Sequence, residues 1–128
     1  MRFKVLALFL SGCFIAMTAR AQFDCTGPVS SLALSPNGTV QVSVGTFGVW
    51  YLCELSNTDT YGGVTFTTDG CKGIYAMLLT AQSTGNSVTM DFSSSDSGGT
   101  NGADCTALGS WVQPSSAPYY IYTLGNTQ

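Results

Sequence analysis

Leu32 and Leu34 alternate with Ala33 and Ser35, and after Pro36-Asn37-Gly38 the alternation resumes as Val40, Val42 and Val44 against Gln41 and Ser43. Period-two apolar runs either side of a Pro-Asn-Gly turn predict a β-hairpin, because proline presets φ and glycine accepts the positive φ that closes the turn. A second turn, Gly45-Thr46-Phe47-Gly48, leads into residues 49–55, an aromatic and branched run that predicts a third strand. Residues 56–70 are polar and rich in Gly and Thr, so they predict a loop, with 64–66 pairing briefly on an edge. Ile74, Met77, Leu78 and Ala81 then fall at i, i+3, i+4 and i+7, one face of a helix, with Asp69 as its N-cap and Gly85 at its C-terminal stop. Tyr75, Leu79 and Gln82 form an adjoining stripe, which either sinks deeper into the same chain or meets a neighbouring copy.

Val88, Met90 and Phe92 alternate with Thr89 and Asp91 and predict a fourth strand. Residues 93–104 are too polar and glycine-rich to pack and predict a mobile loop closed by Cys105. Trp111-Val112 reads as a short strand or a core anchor, and residues 119–124 as the last strand. There is no internal repeat. The expected class is mostly β with one helix (α+β), in the order β-β-β-α-β-β, which is the order of the OB-fold, a small Greek-key barrel.

The N-terminus changes the electrostatics. Arg2 and Lys4 precede an apolar run ending at Ala19-Arg20-Ala21, a small-x-small pattern, so residues 1–21 read as a secretory signal peptide and 22–128 as a single domain. The run is shorter than the roughly 20 residues that span a bilayer, so no membrane insertion is expected. A competing reading takes Leu10-Ser11-Gly12-Cys13 as a lipobox, with the chain anchored as a lipoprotein through Cys13. Residues 22–128 hold one lysine, Lys72, against seven acids, a net charge of −6. One lysine makes no basic patch to neutralise phosphates, so no nucleic-acid partner is expected. The remaining polar surface suits hydrogen bonding to neutral ligands.

Cys25, Cys53, Cys71 and Cys105 make an even count in an exported chain, which predicts two structural disulfides among three connectivities. With no histidine and no CxxC spacing, neither a metal site nor a cofactor is expected. Enzyme activity is not expected either. There is no serine-hydrolase elbow, and Asp91 with Asp96 is read as a pair of solvated acids rather than an acid–base pair. The oxygen-rich run 96–104 does not have the spacing of an EF-hand calcium loop. Trp50, Tyr51, Trp111, Tyr119, Tyr120 and Tyr122 are the candidates for ligand contact, with Tyr119 and Tyr120 expected on opposite faces of their strand.

Two stretches carry a family resemblance: Val49-Trp50-Tyr51-Leu52-Cys53 followed by a polar loop to Cys71, and the helix end Leu78–Gly85 running into Val88. Together they resemble the binding (B) subunits of AB5 toxins of the subtilase-cytotoxin and typhoid-toxin type. The chain also resembles small exported Gram-negative proteins of no assigned function. The toxin resemblance implies an OB-fold, a Cys53–Cys71 bridge and with it Cys25–Cys105, a pentameric ring lined by the helices, and glycan binding. It implies a sialic-acid contact at Ser30, with Ser31 beside it. The aromatic helix end of those subunits is Ala81-Gln82-Ser83 here. The expectation is therefore a secreted or periplasmic non-catalytic binding module for a glycan, its ligand contacts drawn from Ser30, Ser31, Trp50, Tyr119 and Tyr120. The alternative is a cell-envelope protein that binds or inhibits another exported protein.

Overall fold

The computed structural model describes residues 21–94, 99–100 and 103–125. The signal-peptide and lipobox readings, and Asp96 with most of the oxygen-rich run, lie outside the described residues. The chain is mostly β with one main helix and two disulfides. A five-stranded antiparallel sheet runs in the order β3-β2-β1-β6-β8. Its strands are β1 (Ala21–Leu34), β2 (Thr39–Val44), β3 (Val49–Glu54), β6 (Ser87–Ser94) and β8 (Pro118–Thr123). Between them come a hairpin of β4 (Asp59–Tyr61) and β5 (Val64–Phe66), the helix α1 (Thr68–Thr84), the two-residue β7 (Gly99–Thr100) parallel to β1, and α2 (Ala103–Ala107).

The first strand is longer than the predicted hairpin arm and has two partners. Its N-terminal half pairs with β6 from Ala21↔Ser94 to Pro28↔Ser87, and its C-terminal half with β2 from Val29↔Val44 to Leu34↔Val40. The exchange of partners needs a close backbone approach. A Cβ on Gly27 would lie 2.9 Å from Gly45 Cα, and the Gly45 N–H donates to the Pro28 carbonyl at 2.8 Å. Only glycine leaves that space. A register shift between Val29 and Ser31 adds a bulge, which bends the strand further.

Alternation decides the core. Phe23, Cys25, Val40, Val42, Val44, Trp50, Leu52, Val88, Met90 and Phe92 point inward from the sheet and are buried. Phe92 stacks on Phe23 at 5.2 Å and meets the edge of Trp50 at 5.8 Å. Helix α1 closes the core with Cys71, Leu78 and Ala81 buried, and with Ile74 and Tyr75 packed beside them. Its N-cap is Thr67, not Asp69: the Gly70 N–H donates to Thr67 Oγ1 at 3.1 Å. Burial of Phe66 and the Cys53–Cys71 bridge fix where the helix starts, which leaves Asp69 exposed in the first turn. Gly85, in the left-handed region at φ 73°, ends the helix as expected.

Two further departures matter for the site. Residues 59–66 form a tight hairpin on Gly62 and Gly63, both at positive φ, rather than a loop with one edge strand. Tyr61 stacks on Phe66 at 5.3 Å, and its hydroxyl donates to the Leu52 carbonyl at 3.0 Å. Burial, then the nearby Asp59, pushes that phenol well above its ordinary range. The sheet also does not close into a barrel among the described residues. The free edge of β3 is occupied by the segment before β8, with Tyr51 N–H donating to the Val112 carbonyl at 2.9 Å and Trp111 N–H to Val49 at 2.6 Å. At the other end of the sheet, β8 has no strand partner on its outer side among the described residues.

The disulfides join Cys25 to Cys105 and Cys53 to Cys71, at sequence separations of 80 and 18. Loop-closure entropy makes the longer bridge worth about 4.5 kcal/mol and the shorter about 3 kcal/mol. Urea denaturation should accordingly show the Cys25→Ala/Cys105→Ala protein destabilised more than Cys53→Ala/Cys71→Ala. The reverse ranking would contradict the loop-entropy account.

Candidate functional site

The outward face of β1, β6 and β8 is built from the residues that alternate with the core. Across the strands, Asp24 lies opposite Asp91 and Asp91 opposite Tyr120; one step along, Thr26 lies opposite Thr89 and Thr89 opposite Tyr122. Residues opposed in this way share a face and touch. The hydroxyls of Thr26 and Thr89 are 2.8 Å apart, and Tyr120 and Tyr122 are 66% and 40% exposed.

Tyr119 joins this face through an irregularity. The β6–β8 register runs from Asp91↔Tyr120 to Phe92↔Pro118, so Tyr119 has no opposite residue. A bulge of this kind interrupts side-chain alternation. The rings of Tyr119 and Tyr120 meet edge to face at 5.2 Å, where strict alternation had placed them on opposite faces. Tyr119 also separates two shallow grooves. One of about 240 Å³ is lined by Val64, Phe66, Thr67, Ile74 and Ile121, and one of about 300 Å³ by Gln22, Gly62, Gly63, Val64 and Ser93.

Two carboxyls sit side by side under these rings. Burial, then the charge and hydrogen bonding of Asp24, raise Asp91 above the ordinary carboxylate range, and a hydrogen bond from Tyr122 works against them. One Asp91 oxygen, Oδ1, is shielded from solvent without a hydrogen-bond partner among the described residues. Burial, then the charges of Asp91 and Asp24, raise the Tyr119 phenol as well. The only cation among the described residues, Lys72, stands on α1 against Asp69 at 3.4 Å. The face thus presents three phenols and an acid pair able both to donate and to accept a hydrogen bond.

The other expected contacts lie elsewhere. Ser30 sits in the β1 bulge and spends its hydroxyl on its own fold, reaching the carbonyls of Ser43 at 3.2 Å and Gly45 at 3.1 Å. Ser31 is exposed opposite Ser43. Six residues of strand separate Ser30 from Asp24, about 20 Å at 3.3 Å per residue, too far to hold one sugar ring between them. Trp50, expected at a ligand surface, is a core residue with no exposure, its Nε1 donating to the Gly109 carbonyl at 3.0 Å. Asp24 and Thr26 were missed, although their alternation with Phe23 and Cys25 was the available signal. On α1 the second stripe divides: Tyr75 packs on the core, while Leu79 and Gln82 are exposed.

Among the described residues no group of three or more His, Cys, Asp or Glu could hold a metal ion, and no helix is long and apolar enough to cross a membrane. The two disulfides fit an oxidising compartment. No protein-family model, curated protein or solved structure matches the chain.

The raised Asp91 value has a defined sign. Between the ordinary and the raised value the native state holds a proton that the unfolded chain has released, so this contribution is full below the ordinary value and is lost as pH rises through the raised one. Asp91→Asn should therefore melt above the wild type at pH 7, with the gap closing towards pH 3. A gap independent of pH would show that Asp91 does not titrate in this way.

Proposed function

We propose that the chain is an exported, non-catalytic binding module that takes a neutral glycan on the tyrosine face of β8. The observation that carries this reading is the convergence of Tyr119, Tyr120 and Tyr122 with Asp24 and Asp91 on one sheet face. Aromatic rings accept the apolar C–H face of a pyranose, and carboxyls accept its hydroxyls. The acid pair does not suit glycoside hydrolysis, in which the two carboxyls flank the scissile bond from either side; these two are directly opposed neighbours on one sheet face. Two carboxyls without a cation repel a sialic-acid carboxylate, so a neutral sugar fits better than the ligand implied by the toxin resemblance.

The fold that supports this face is read as a partly open OB-type barrel. Its strand order, the length of β1 and the position of α1 between β3 and β6 favour that reading, and such barrels bind oligosaccharides on other chains. The predicted leader and the two bridges favour a secreted or periplasmic setting. The reading is made for a single chain: α1 presents one large exposed apolar side chain, Leu79, where a helix-lined ring needs a continuous apolar face. A second reading, a cell-envelope protein that grips another protein, is favoured by one feature. The outer edge of β8, Pro-Tyr-Tyr-Ile-Tyr-Thr, has no strand partner among the described residues and suits strand addition.

A glycan microarray of neutral and sialylated structures tests the choice. Neutral glycans should bind, and Tyr120→Ala should weaken them about tenfold, the upper worth of one stacked ring, with the melting temperature unchanged. Binding confined to sialylated glycans would overturn the neutral-sugar assignment, and a blank array would favour the protein partner.

A further inference from the structure

Trp111 is the one non-glycine among the described residues with positive φ, at 60°, and it is 64% exposed. Both facts are unusual for a tryptophan, which gains most from burial and is disfavoured in the left-handed region. The conformation is held from both sides. The Trp111 N–H donates to the Val49 carbonyl and the Val112 carbonyl accepts from Tyr51, while Val49 N–H reaches Ser110 Oγ at 3.1 Å and Trp50 Nε1 reaches the Gly109 carbonyl. Two glycines admit this docking: a Cβ on Gly48 would lie 2.7 Å from the Gly109 carbonyl oxygen, and one on Gly109 would lie 2.7 Å from Val112 Cγ2. Strain held in place by its surroundings, at a residue with an exposed ring, points to a function at that ring.

The surroundings of the ring decide what it meets. Val112 is its one exposed apolar neighbour in the segment; on either side stand Ser110 and Gln113, and Gln113 Nε2 donates to Asp59 Oδ2 at 2.6 Å. A protein interface of standard size takes about 20–30 residues a side around an apolar centre, far more than this segment offers. One exposed indole, with Ser110 before it, Gln113 two residues on and Asp59 held by Gln113, matches a single pyranose ring. Its axial C–H bonds lie on the negative face of the aromatic system while its rim hydroxyls find donors and acceptors. The segment continues through Ala117 into β8, so one stretch of chain carries both this ring and the tyrosine face.

We propose that Trp111, with Ser110, Gln113 and Asp59, forms a second saccharide subsite at the edge of β3, stacking one ring of a neutral oligosaccharide. This rests on the neutral-glycan reading of the β8 face. The test uses the two tryptophans themselves, since Trp50 is buried and acrylamide quenching therefore reports Trp111. The whole protein is titrated with chitohexaose, cellohexaose and maltohexaose, by calorimetry and by quenching in parallel. At least one hexasaccharide should bind and shield the quenchable tryptophan. Trp111→Asn keeps a residue tolerant of the left-handed region while removing the ring. It should weaken binding about tenfold and leave the melting temperature equal or higher, whereas a merely structural tryptophan would lose stability and keep its affinity. A hexasaccharide that binds with unchanged quenching, or binds Trp111→Asn as tightly as wild type, overturns the subsite and leaves the tyrosine-face reading standing. Calorimetric silence with all three overturns both.

Discussion

The contact of Gly27 with Gly45 is the constraint on which the rest of the fold depends. Without a Cβ on Gly27, β1 passes close enough to the turn after β2 to leave β6 and take up β2 within two residues. The N-terminal half then carries Cys25 to Cys105 and stacks Phe23 on Phe92, and the C-terminal half completes the three-stranded meander around Val40, Val42 and Val44. Both halves feed one core because one strand belongs to both. A side chain at Gly27 would force the two pairings apart, and the Cys25–Cys105 bridge would hold the ends of a sheet with no continuous centre.

That same strand fixes what faces outward. Alternation that buries Phe23 and Cys25 commits Asp24 and Thr26 to the other side, and pairing with β6 sets Asp24 directly against Asp91. Like charges opposed in a sheet are destabilising. The arrangement persists because Asp91 retains a proton over a wider pH range than a free carboxyl, so the pair need not be doubly ionised. Thr26 and Thr89, in the next row, show the neutral solution to the same geometry, hydroxyl to hydroxyl at 2.8 Å. A fold selected for stability alone would repeat the threonine row. The acid pair is kept where three tyrosines surround it, and this coincidence of cost and placement gives the face its functional reading.

Much of the scaffold was legible in the sequence, for local reasons. The hairpin of β2 announced itself through Pro36-Asn37-Gly38 between alternating valines and leucines, and α1 through Ile74, Leu78 and Ala81 with Gly85 to stop it. The misses share a different cause: each was decided by contacts distant in sequence. The N-terminal half of β1 is interrupted by Gly27-Pro28, which reads as a break until Gly45 is known to lie beside it. β4 and β5 are too polar to show a core face, and their hairpin rests on Tyr61 reaching Leu52. Register is not written in any one strand, so the bulge that turns Tyr119 towards Tyr120 was invisible. Trp50 was misplaced for the same reason. Trp50 lies in an alternating strand whose inward phase is set by its partner, and the exposure of Trp111 follows from two glycines that let its segment dock on β3.

An edge strand as apolar as β8, with no outer partner among the described residues, is a hazard, because its free edge is a template for any other strand. Proteins commonly blunt such edges with lysine or a bulge, and β8 has no lysine. It does have the Tyr119 bulge, which breaks the flat run of edge groups after its first residue, and it follows Pro118, which has no N–H to offer. The remaining protection is collective. Residues 22–128 carry one lysine against seven acids, so two copies approaching edge to edge meet like charge, with Asp91 one strand and Asp24 two strands in from the contact. Self-pairing is opposed by a field that leaves a neutral ligand untouched. The acidity of the chain thus works against edge-to-edge association through its exposed tyrosine strand.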